Sequence, residues 1–114
     1  MSFIEEIKDE YEEYKSSKMS ITDVVKGMLL KYGEDSQIDV AIEEMSELTK
    51  ELIKYKRTKI HEREKQATSR AQVIEEMCDV LLMFEYLRVI FKVDDQEIEN
   101  MIFNKATRVV KRYL

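Results

Sequence analysis

One stretch constrains this chain more than any other: Ile74-Glu75-Glu76-Met77-Cys78-Asp79-Val80-Leu81-Leu82-Met83-Phe84-Glu85-Tyr86-Leu87. From Met77 to Phe91 apolar residues occupy almost every angular position, the pattern of a helix buried on most sides rather than along one stripe. Asp79 lies between Met77-Cys78 and Val80-Leu81-Leu82. In such surroundings its carboxylate enters low dielectric, at a cost of several kcal/mol unless positive charge meets it. Glu76 lies one turn earlier, about 60° round the same helix, so two like charges share one edge.

A second acidic pair, Glu44 and Glu47, repeats the i,i+3 spacing within Glu43-Glu44-Met45-Ser46-Glu47-Leu48. If two antiparallel helices bring the pairs face to face, three Glu and one Asp converge on a small volume. Oxygen-only donors of that kind suit Mg²⁺, with Mn²⁺ as an alternative, better than zinc. A hard divalent cation would relieve both the repulsion and the desolvation, so Glu44, Glu47, Glu76 and Asp79 are the expected metal ligands.

Glu43-Glu44-x-x-Glu47, 28 residues, then Glu76-x-x-Asp79 resembles the EExxE…ExxD signature of the MazG-like, all-α nucleotide pyrophosphohydrolases. Ala41 to Leu52 reads like that family's motif helix, and Asn104-Lys105-x-x-Arg108 like its usual ending. The likeness covers roughly residues 36–114. It implies a Mg²⁺-dependent nucleoside triphosphate pyrophosphohydrolase that cleaves between the α and β phosphates; no nucleic-acid or membrane partner is expected, on the grounds of net charge and apolar run length. Carboxylate-held Mg²⁺ would offset phosphate charge and lower the pKa of an attacking water. Glu43 is then the candidate that orients ligands or takes the proton from water, a role Glu47 can exchange with it. Lys50, Lys54, Asn104, Lys105 and Arg108 are candidate phosphate contacts, the last three by likeness to the family ending. A homodimer or dimer of dimers is implied as well, with the second subunit helping to close the nucleotide pocket.

With no proline, two glycines and 38% charged residues in 114, the composition favours long helices and short connections over any sheet. The expectation is an all-α bundle of four to five helices in a single domain, residues 1–33 supplying N-terminal helices and 36–114 the motif-bearing core. A core of this size is modest, and the apolar faces outnumber what one small bundle covers, so assembly into an oligomer is expected on this ground too. The net charge of −5 argues against a sequence-independent hold on nucleic acid. One cysteine, Cys78, makes no internal disulfide and is expected to be a buried packing thiol in a reducing compartment. With an acidic N-terminus lacking an apolar h-region and a longest apolar run of Val80 to Phe84, the expectation is a cytoplasmic, unanchored chain.

In chain order, Phe3, Ile4, Ile7, Tyr11 and Tyr14 predict an amphipathic helix near 2–17. Ser20 with Asp23 opens a short helix that Gly33 stops. Asp35 or Ser36 caps a long helix over 37–61, whose stripe of Ile38, Ala41, Ile42, Met45, Leu48, Leu52 and Tyr55 faces the core. The charged run 54–65 reads as a fraying helix end and loop, mostly solvated, with one or two of its bases as candidates to meet substrate phosphates. Ser69 with Gln72 matches a capping box for the central helix, which runs to Phe91. Asp94 with Glu97 starts a last helix over 95–113, with Ile98, Met101, Ile102, Ala106, Val109 and Val110 on its apolar face.

Among the remaining acids, Glu75 and Glu51 are expected to be solvated and Glu85 to be an interhelix or interface partner. Tyr55, Phe84 and Tyr86 are candidates for stacking on a base. A ferritin-like di-iron bundle needs inward Glu-x-x-His pairs, and the single histidine, His61, lies in the charged stretch. Two other classes compete with the enzyme. One is a nucleotide-binding regulator that keeps the site without turnover, the other a helical oligomerisation module whose acids are surface groups.

Overall fold

A computed structural model describes residues 20–114 together with Glu5 and Asp9. The expected helix over 2–17 lies outside the described residues, apart from these two. Four helices make up the described chain: α1 (Ile21–Tyr32), α2 (Glu34–His61), α3 (Gln66–Ile90) and α4 (Asp95–Tyr113). There is no strand among them, as the composition requires.

Each boundary has a local cause. Ser20 Oγ accepts from the Asp23 N–H (3.1 Å) while the Ser20 N–H donates to the Asp23 carboxylate (3.4 Å), a reciprocal cap that starts α1. Gly33 ends α1 and begins α2 with φ 88° and ψ 160°, a conformation essentially reserved for glycine. That single residue turns the chain, so α2 begins at Glu34, earlier than the expected 37. Neither Asp35 nor Ser36 caps it. Glu34 and Asp35 lie instead in its first turn, where negative charge meets the positive end of the helix.

The hairpin between α2 and α3 also differs from the sequence reading. Arg63–Lys65 form a 3₁₀ turn that runs directly into α3, so the Lys65 and Gln66 N–H groups find the Glu62 and Arg63 carbonyls. With those donors already satisfied the helix needs no box at Ser69 and Gln72, and Ser69 lies inside it. At the far end of α3, Val93 N–H reaches the Arg88 carbonyl (2.9 Å) and Lys92 N–H the Val89 carbonyl (3.3 Å), with Lys92 itself at φ 54°. This is a Schellman stop built on a lysine. Asp94 then caps α4 through the Glu97 N–H at 2.8 Å, as expected.

The short link makes α2 and α3 an antiparallel pair, the main packing of the fold, and α1 lies across the open end of the pair, chiefly on α3. There Val25, Ala41, Met83 and Tyr86 bury one another, with Met28, Leu29, Val40, Leu87 and Val89 around them. The closed end is different, because its buried residues are polar: Thr58 and Ser69.

The central helix is not enclosed as its sequence suggests. Met77, Leu81, Leu82 and Phe84 are 44 to 60% exposed, and Cys78 and Asp79 are exposed as well. Among the described helices α3 packs on α1 and α2, and these leave Met77, Leu81, Leu82 and Phe84 uncovered. α4 packs on no other described helix, leaving Met101, Ile102, Val109 and Val110 open as well. Its tie to the rest is Arg88, which pairs with Asp95 and lies 3.8 Å from Glu85. The chain is accordingly extended, with a radius of gyration of 18.1 Å where about 13 Å is usual for this length. Among the described residues no helix is long and apolar enough to cross a membrane.

Candidate metal site

Midway along the hairpin, carboxylate oxygens of Glu44 on α2 and of Glu76 and Asp79 on α3 lie within 4.8 Å of one another. The i,i+3 spacing of Glu76 and Asp79 puts both on the edge of α3 that faces α2, and Glu44 projects from the opposing helix beside Ala41 and Leu48. Glu44 and Glu76 are half-buried, and Asp79 lies open at the edge. One oxygen of Glu76, Oε2, is fully buried without a hydrogen-bond partner.

The electrostatics follow from three anions in this space. Partial burial comes first in pushing the Glu44 carboxyl above its usual range. The negative charges of Asp79, Glu43 and Glu47 add to it, as does a carboxyl contact with Asp79. Glu76 is raised likewise, by desolvation first and then by Asp79, Glu44, Glu47 and Glu75. Among the described residues no lysine or arginine pairs with these three carboxylates. Three carboxylates with an orphaned oxygen and no nitrogen or sulfur donor fit a hard divalent cation.

The other sequence candidates fall at varying distances from this centre. Glu43 and Glu47 are exposed and near enough to act on the cluster by charge, although neither joins the three convergent carboxylates. Lys54 is drawn instead to Glu51, at 3.2 Å. Glu51 is therefore not the solvated acid expected: its side chain is 12% exposed and its Oε2 is buried without a partner. Lys50 lines a shallow groove on α2 with Ser46, Thr49 and Ile53. Asn104, Lys105 and Arg108 are exposed on α4, and no packing within the described chain carries them to the acids.

Sequence reasoning weighs the bases over 54–65 as phosphate contacts but does not foresee a pocket at the closed end of the hairpin. Lys54, Arg57, Lys65, Thr58 and Ser69 line a pocket there of about 450 Å³. The signal available was the run of bases over 54–65, which reads as a solvated helix end until the hairpin folds it over the start of α3. No protein-family model, curated protein or solved structure matches the chain.

Proposed function

We propose that the chain is a divalent-cation-dependent nucleoside triphosphate pyrophosphohydrolase, converting an NTP or dNTP and water to the monophosphate and pyrophosphate. The observation that carries this reading is the meeting of Glu44, Glu76 and Asp79 across two antiparallel helices at the spacing of the acidic signature. The resemblance to the MazG-like enzymes supplies the reaction. Glu44, Glu76 and Asp79, with Glu47 one turn from Glu44, would hold Mg²⁺ or Mn²⁺. Such a cation supplies Lewis-acid chemistry, offsetting polyphosphate charge and acidifying water.

The chain's own groups then have distinct tasks. Glu43, exposed beside Glu44, accepts the proton of the attacking water, or Glu47 does so from the next turn. The mutual repulsion that raises Glu44 and Glu76 keeps the site poised for positive charge. Asn104, Lys105 and Arg108, open on α4, reach a polyphosphate only if α4 of a second copy lies over the hairpin. This is one reason to infer a homodimer or dimer of dimers as the active unit; the exposed apolar faces of α3 and α4 are another. The same faces favour the oligomerisation module as the second reading.

The deciding experiment incubates a panel of NTPs and dNTPs with Mg²⁺ and scores pyrophosphate against orthophosphate. Monophosphate with pyrophosphate is expected. Orthophosphate with diphosphate would reject the α–β cleavage. No product at all, with nucleotide still bound, would favour the regulator.

A further inference from the structure

The pocket at the closed end of the hairpin has features that the acidic site does not use. Its most buried residues are Thr58 and Ser69, 4% and 6% exposed. Thr58 donates its hydroxyl to the Tyr55 carbonyl at 2.7 Å, whereas Ser69 Oγ is buried with no hydrogen-bond partner. A buried hydroxyl left unpaired weakens the fold unless something meets it.

The same pocket opens on the start of α3. Lys65, the residue before that helix, makes no side-chain cap, and the first turn holds no acid. The preceding 3₁₀ turn takes up the Lys65 and Gln66 N–H groups and brings Glu64 to this end, so the positive end of the 25-residue helix adds only a modest pull on an anion. Basic side chains add to it: residues 50–65 carry seven Lys and Arg against three Glu, in a chain whose net charge is −5. Lys54 is held by Glu51, and Lys65 by Glu62 at 3.3 Å. Arg57 has no ion pair among the described residues; the acids of the lining are Glu62, taken by Lys65, and Glu64.

We propose that this pocket binds a phosphate-type oxyanion, between Arg57, Ser69 Oγ and the start of α3. It is a second site, separate from the acidic cluster: Ser69 lies seven residues before Glu76, about 10 Å along the helix, and three convergent carboxylates repel a bare anion. At about 450 Å³ the pocket falls within the usual range for small ligands, roughly 300–1,000 Å³. Free phosphate and the phosphate of a nucleoside monophosphate share the chemistry, and both fit.

The test uses the full chain in EDTA, so that no cation bridges phosphate to the acids. Thermal unfolding and titration calorimetry are run with inorganic phosphate and with a nucleoside monophosphate, against chloride at matched ionic strength. Stabilisation beyond the chloride control is expected from at least one of the two. Both responding marks the phosphate group itself as the ligand, and the monophosphate alone responding marks a nucleotide. Ser69→Ala and Arg57→Gln should each bind at least tenfold more weakly, while Asp79→Asn binds as the parent does. Ser69→Ala removes the unpaired hydroxyl, so without phosphate it should be at least as stable as the parent, and its lost response is not unfolding. No stabilisation beyond chloride by either compound overturns the proposal. So does a response unchanged in both pocket variants, or one lost in Asp79→Asn. Neither metal nor turnover enters the measurement, so its result is independent of the pyrophosphohydrolase reading.

Discussion

Ile102→Glu tests whether the open face of α4 is an interface. Ile102 is 61% exposed in the single chain and sits mid-stripe between Ile98 and Ala106. Full burial of an isoleucine is worth about 1.5–3 kcal/mol, so covering the exposed three-fifths contributes roughly 1–2 kcal/mol per copy. A two-fold interface uses the residue twice. The loss is then roughly 2–4 kcal/mol per dimer, a 30- to 1,000-fold weaker association, before any cost of desolvating the new carboxylate. On a face that stays wet the same change should shift stability by less than about 0.5 kcal/mol.

The surface area supports the first outcome. The chain exposes 9619 Å² where a compact monomer of this mass exposes roughly 6,600 Å². The difference far exceeds the roughly 800 Å² that each partner of a standard interface buries. Light scattering coupled to sedimentation at micromolar concentration reads the answer. The parent should be an oligomer and Ile102→Glu a smaller species, with Leu81→Glu acting in the same direction if α3 shares the interface. A stable parent of 13.6 kDa, or a variant with unchanged mass and stability, would refute the reasoning.

Further outcomes follow from the site and the backbone. Glu44 and Glu76 ionise above their ordinary value of 4.5 in the folded chain. The fold therefore holds protons that the unfolded chain releases, and the metal-free protein should lose stability as pH rises from 4.5 through the raised values. Denaturant midpoints across pH 4 to 8 in EDTA check this, and a stability that rises throughout that window would show that the acids do not repel. Asp79→Asn should flatten the slope and abolish stabilisation by Mg²⁺, which is about 2.7 kcal/mol at a hundred times Kd if the site binds. Gly33→Ala should cost about 1–3 kcal/mol, because no atom lies within 4 Å of the added Cβ and the strain is in the backbone alone. Gly27→Ala, equally uncrowded inside α1, should instead gain about 0.5–1 kcal/mol, and equal effects at both glycines would contradict the account of the link.

The local signals in this chain depend on neighbours three or four residues apart, and most of these the sequence carried. Ser20 with Asp23, Gly33, and Asp94 with Glu97 place their helix ends where expected, since a cap is decided by a side chain and the nearest free N–H groups. The facing of Glu44 with Glu76 and Asp79 was legible for a related reason: i,i+3 spacing fixes a face, and a short hairpin fixes which faces meet. The boundary at Ser69 was not legible, because the 3₁₀ turn at 63–65 satisfies the donors that a capping box would have taken.

Burial also escaped the sequence. A helix apolar on all sides looks enclosed, yet Leu81, Phe84 and Cys78 are open, because enclosure depends on how many other helices are present to cover it. For the same reason Glu51, next to Lys50 in sequence, is largely covered, and Thr58 and Ser69 line one polar pocket at the closed end that no periodicity encodes. The sequence alone determined which residues are helical, where most helices begin and end, and which acids share a face. Tertiary structure alone decided what is covered, since solvent exclusion is a property of packed neighbours and not of any one segment.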